Sequence, residues 1–75
     1  MSDHLLEAFG HKVKALRLAK NLSQESLAAL AGLDRTYISS VERGKRNVSL
    51  INLFKLSGAL EVKTTELVDI GVASD

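Results

Sequence analysis

No cysteine occurs among the 75 residues, so neither a disulfide nor a thiolate metal site can form, and the composition suits a reducing cytosol. Proline is absent too, and no stretch alternates apolar and polar residues long enough to suggest a strand. The longest apolar run, Leu27 to Leu33, is interrupted by Gly32 and is far too short to span a bilayer. The opening residues include Asp3 and Glu7 in place of a basic segment, so no secretory signal is expected. Glycines at 10, 32, 44, 58 and 71 are too dispersed for a phosphate-cradling loop. His4 and His11 can share a helix face, but without a third ligand nearby they read as surface residues, and no metal is expected. Carboxylates are scattered, and no serine pairs recognisably with a histidine and an acid. Catalysis therefore finds no support, and no cofactor is implied.

What is present is one short, helix-forming chain. Its length fits a single domain, 1–75, ordered from about residue 5 to 70 with a frayed tail. A core this small is only marginally stable alone, so self-association is expected to help. The net charge of +1 is unevenly spread: residues 1 to 47 carry eight Lys/Arg against five Asp/Glu, and residues 48 to 75 carry two against four. The first part is thus +3 and the rest −2. Arg35, Arg43, Lys45 and Arg46 cluster around the single acid Glu42, a footprint suited to a polyanion.

Apolar spacing predicts five helices. The first runs from about Leu5 to Lys20, with Leu6, Phe9, Val13 and Leu16 on one stripe. Ser23 caps a second that ends near Ala31, and a third spans Asp34 to Arg43 and stops at Gly44. Lys45 to Val48 form an exposed basic loop. Ser49 caps a fourth helix ending near Leu60, and a last short one begins about Thr64 and fades by Gly71.

Between the second and third helices the pattern sharpens. Ala28 is small where another helix could cross, and Gly32 stands where a left-handed turn is needed. Leu33, the capping Asp34 and the inward Ile38 and Val41 follow. With Arg35 at zero and about 100° per residue, Ser39 lies near 40°, Arg43 near 80°, Thr36 near 100° and Ser40 near 140°. Tyr37, Val41 and Ile38 fall between about 200° and 300°. One side anchors to a core. The other presents arginines that can fork onto guanine edges and small hydroxyl residues that let a backbone lie close to a groove floor. Two helices and a tight turn of this kind form a helix-turn-helix.

The fourth helix is more apolar than a monomer needs. Leu53, Leu56 and Leu60 make a core stripe, while Phe54 and Ile51 lie on another side. That surplus surface is expected to bury against a second copy of the chain, with Val68 and Val72 contributing less.

From Phe9 to Leu67 the sequence resembles the Xre/Cro-type helix-turn-helix family of phage repressors. The matching residues are Phe9-Gly10, Arg17, Leu22-Ser23-Gln24-Glu25, Leu27-Ala28, Gly32, Ile38-Ser39, Glu42-Arg43-Gly44 and Leu60-Glu61-Val62. The run LDRTYISSVERGKRNVSLINLFKLSGALEV looks most like the small controller proteins of restriction–modification systems. The resemblance implies an all-α, lambda-repressor-like domain that binds a symmetric double-stranded DNA operator as a homodimer, in the cytoplasm. A controller regulates its own gene and that of the adjoining endonuclease, sometimes as two dimers on tandem sites. A phage or plasmid repressor, or an antitoxin, is the alternative within the same class. A protein-interaction module without DNA binding is the more distant one. Site roles follow residue by residue. Arg35, Thr36 and Ser39 would approach base edges, and Gln24, at the start of its helix, would meet a phosphate. Arg43, Lys45, Arg46 and Asn47 would grip the backbone, with Ser40 at the border. Tyr37 either packs or sends its hydroxyl to that backbone. Arg17 and Glu42 would form an ion pair tying the first helix to the end of the third.

Overall fold

The computed structural model describes residues 2–71, which form five helices and no strand. These are α1 (Ser2–Ala19), α2 (Gln24–Ala31), α3 (Arg35–Glu42), α4 (Leu50–Leu60) and α5 (Thr64–Leu67). Helix α1 begins three residues before the expected Leu5. The apolar stripe that marks it in the sequence starts at Leu6, but the backbone is already helical through the positions ahead of it. No helix among the described residues is long and apolar enough to cross a membrane.

Side chains that keep the backbone polar groups satisfied mark where these helices start. Ser23 Oγ accepts from the Ser26 N–H at 2.9 Å, Asp34 Oδ2 from the Thr36 N–H at 2.9 Å, and Ser49 Oγ from the Asn52 N–H at 3.1 Å. Asp34 and Arg43 therefore flank α3 as caps and are not part of it. Four helices end in the same way, with one residue turned left-handed and the N–H after it reaching back five residues. The bonds run from Leu22 to the Arg17 carbonyl, from Leu33 to Ala28, from Lys45 to Ser40 and from Val62 to Ser57, at 2.8–3.0 Å. At Gly32 the φ of 69° makes the turn between α2 and α3 possible at no steric cost.

Packing follows the apolar stripes. Helix α3 lies between α1 and α2, α2 also meets α4, and α5 closes against α1 and α4. Phe9, Val13, Leu27, Ala28, Ala31, Ile38, Val41, Leu56, Leu60 and Leu67 form the buried core. Leu6 and Leu16, expected in the α1 stripe, are half-buried at its margins. Leu53 departs from the stripe expected for α4: Leu56 and Leu60 are enclosed, but Leu53 is half-buried and faces a groove shared with Leu5, Val68 and Ile70. It stands one turn nearer the start of α4, where Val68 and Ile70 line the groove without closing it.

Two chain segments touch without side chains between them. A Cβ on residue 10 would lie 2.5 Å from the Val41 carbonyl oxygen and 2.7 Å from that of Glu42, so only glycine lets α1 cross the end of α3 so closely. This crossing sets the tilt of α3 against the body of the molecule.

Candidate nucleic-acid interface

Helix α3 holds its position through buried charge as well as apolar packing. Arg17 of α1 and Glu42 of α3 are each only 7% exposed. Arg17 Nε donates to Glu42 Oε2 at 2.7 Å and Nη2 donates to Oε1 at 3.0 Å, a bidentate pair across 25 residues of sequence. Nη1 donates to the Leu22 carbonyl at 2.8 Å, so the guanidinium is satisfied on three of its edges. The hydrogen bond to Glu42 raises the Arg17 pKa above its already high ordinary value, against the opposing effect of burial.

The network continues outward. Gln24 Nε2 donates to Glu42 Oε1 at 3.0 Å, which turns the amide carbonyl toward solvent, where Arg35 Nη1 reaches it at 3.4 Å. The side chain of Gln24 is thus engaged within the protein, while its backbone opens α2.

Along the outer face of α3, Arg35, Thr36 and Arg43 are exposed, and Ser39 and Ser40 are half-buried. Arg43 Nη1 donates to Ser39 Oγ at 3.0 Å, one turn away. The Ser40 hydroxyl donates to the Thr36 carbonyl at 2.8 Å and so folds back on its own helix. Lys45, Arg46 and Asn47 extend from the loop after α3, all exposed. The result is one continuous surface of cations and small hydroxyls, with the helix backbone close beneath it.

Tyr37 sits at the edge of this surface. Its ring is half-buried against the core, and its hydroxyl accepts from Asn52 Nδ2 at 3.0 Å. The guanidinium of Arg46 lies 5.0 Å from the ring centroid. Sequence patterning does not single out Asn52. It lies 15 positions from Tyr37, and nothing local signals the contact.

A second surface is apolar. Leu50 and Ile51 are 70% exposed and Phe54 58%, all on α4, whereas Val68, 47% exposed just after α5, lines the separate groove with Leu5 and Leu53. Leu50, Ile51 and Phe54 line one shallow depression with Lys55. Leu50 is an addition to the residues expected there. Its position between Leu53 and Phe54 on the α4 wheel was the available signal. Val72, the remaining residue expected on this surface, lies outside the described residues.

Known proteins share both this geometry and this sequence. The helix-turn-helix family model matches residues 13–67. The control protein C.MunI of Mycoplasma sp is 60% identical over 60 residues, 79% of this chain and 81% of that protein. The crystal structure of the restriction–modification controller protein C.AhdI from Aeromonas hydrophila superposes with a TM-score of 0.81 at 56% identity, covering 83% of this chain and 94% of that one. The controller protein C.Esp1396I, solved as a tetramer in complex with its natural 35 base-pair operator, gives a TM-score of 0.78 at 39% identity over 85% of this chain and 88% of that one. An Arg–hydroxyl face on a helix fixed by a buried ion pair, within a fold and sequence of this kind, places the chain: it belongs to the helix-turn-helix family, among the controller proteins of restriction–modification systems.

Proposed function

We propose that the protein is a sequence-specific DNA-binding regulator that occupies a symmetric operator as a homodimer and controls its own gene and that of a partner endonuclease. The observation that carries this reading is the outer face of α3, where Arg35 and Thr36 are exposed and Ser39 is half-buried, on a helix held by Arg17, Glu42 and Gly10. Base edges are read by these three residues, Arg35 by a two-pronged contact with a guanine. Gln24, Arg43, Lys45, Arg46 and Asn47 hold the phosphates, with Ser40 and Tyr37 at the border, and they set register without reading sequence. The whole chain, 1–75, acts as one domain in the cytoplasm, by occupying DNA, with no catalytic step and no cofactor. The tetramer that C.Esp1396I forms on its operator supports two dimers loading side by side.

Binding is tested by anisotropy on a labelled duplex taken from immediately upstream of the protein's own gene. A dimer that neutralises about 6–10 phosphates loses on the order of 10³–10⁵ in affinity between about 50 and 200 mM salt. An affinity indifferent to salt, or equal for this duplex and a scrambled one, rejects the reading.

A further inference from the structure

Arg46 belongs to the exposed stretch between α3 and α4, where no helical backbone confines a long side chain. Its guanidinium nevertheless lies over the Tyr37 ring, 5.0 Å from the centroid, within the range where the electron-rich face of an aromatic attracts a cation. The ring is held in turn. It is half-buried, and its hydroxyl accepts from Asn52 Nδ2 at 3.0 Å. Asn52 is itself placed by the first turn of α4, where its N–H donates to the capping Ser49 hydroxyl at 3.1 Å. A chain of contacts therefore runs from the capped start of α4 through Asn52 and Tyr37 to the charge of Arg46.

Resting on the DNA-binding reading above, we propose that Tyr37 is a positioning residue for Arg46. It holds the guanidinium ready for a backbone phosphate, and its contribution to DNA affinity runs through that charge. The chemistry allows both contacts at once. Stacking uses the flat face of the guanidinium, whereas phosphate oxygens are bound by the N–H groups around its edge. An unplaced arginine loses rotamer freedom when it grips a phosphate. One already resting on a fixed ring has lost much of that freedom on folding, so less is lost on binding.

The test is a double-mutant cycle in DNA affinity across a salt series, on the upstream duplex, with Tyr37→Leu, Tyr37→Phe, Arg46→Ala and the Tyr37→Leu/Arg46→Ala pair. Arg46→Ala flattens the plot of log affinity against log salt by about 0.9 for each phosphate no longer neutralised. Tyr37→Leu removes no charge, yet it flattens the same plot part of the way and weakens binding by about two- to fivefold. In the Arg46→Ala background it has no further effect. Tyr37→Phe keeps the ring but loses the bond from Asn52, so it flattens the slope less than Tyr37→Leu does. A full salt slope in Tyr37→Leu, or losses that multiply in the pair, overturns the proposal. If thermal unfolding shows that Tyr37→Leu does not fold, Asn52→Ala takes its place in the cycle, where losses that multiply with Arg46→Ala are equally fatal. Wild-type protein that shows no salt-dependent binding rejects the DNA-binding reading itself, which is a different result.

Discussion

Arg17 and Glu42 hold opposite charges where little water reaches either, with side chains only 9% and 4% exposed. In such a place the partner matters more than the charge. Replacing Arg17 with methionine leaves a carboxylate with only the Gln24 amide to answer it, and is expected to lower stability by about 3–5 kcal/mol. Adding Glu42→Leu should restore much of that loss, since two apolar groups no longer carry a desolvation penalty. Chemical denaturation of the two single variants and the double variant reads the coupling, and strictly additive losses would mean the pair does not act as a unit. Arg35 behaves differently because its charge is exposed. Arg35→Ala is expected to cost about 1–3 kcal/mol of operator affinity and to relax the preference at one base position, with the fold intact. Selection from a randomised operator library checks it. Equal losses on operator and random DNA would make Arg35 a phosphate contact.

Glycine has opposite meanings in two of the helices. At position 10 of α1 an added methyl group would run into carbonyl oxygens of α3, and backbone cannot move aside without separating the helices. Gly10→Ala is expected to lower stability by about 1–3 kcal/mol and to shift α3 with it. At position 58 of α4 nothing lies within 4 Å of the same methyl group, and the φ is not left-handed. Gly58→Ala is therefore expected to raise stability by about 0.5–1 kcal/mol through reduced freedom of the unfolded chain. Thermal melts of both variants give the two signs, and a fall in both would show that α4 is packed at that point. Helix ends also meet in the exposed pair of Lys20 and Glu61. The hydrogen bond from Lys20, and then its charge, hold the Glu61 carboxyl below its ordinary value. A lowered folded pKa means a contribution present above the ordinary value of 4.5 and lost as pH falls through the folded value. Lys20→Ala should return that carboxyl to its ordinary range in an NMR titration.

For the whole molecule the decisive question is what covers Leu50, Ile51, Phe54 and Val68. Leu50, Ile51 and Phe54 share one depression on α4, and a two-fold axis there is expected to bury them against the same residues of a second copy. Such an axis would present two copies of α3 to successive major-groove half-sites, about 34 Å apart. Aspartate at both 51 and 54 places charge at a contact where each substitution is felt twice. Sedimentation is expected to show a folded monomer, with cooperative operator binding lost. A double variant that remains dimeric at micromolar concentration moves the interface elsewhere. One that unfolds makes both side chains part of the core, against their exposure of 70% and 58%.

Most of this architecture is legible in the chain itself, because it rests on signals that act within a few residues. Ser23, Asp34 and Ser49 cap the helices they precede because a short acceptor side chain can reach an N–H two or three residues on, whatever lies elsewhere. The division of α3 into an apolar and a polar side is likewise a property of its own eight residues. What the sequence could not decide were contacts between residues distant along the chain. Gln24 bonding Glu42, Asn52 bonding Tyr37, the backbone approach at Gly10 and the partial exposure of Leu53 all depend on how the helices cross. Helical periodicity sorts side chains into faces, but which atom meets which across a crossing is set by angles and distances that exist only once the whole core has closed.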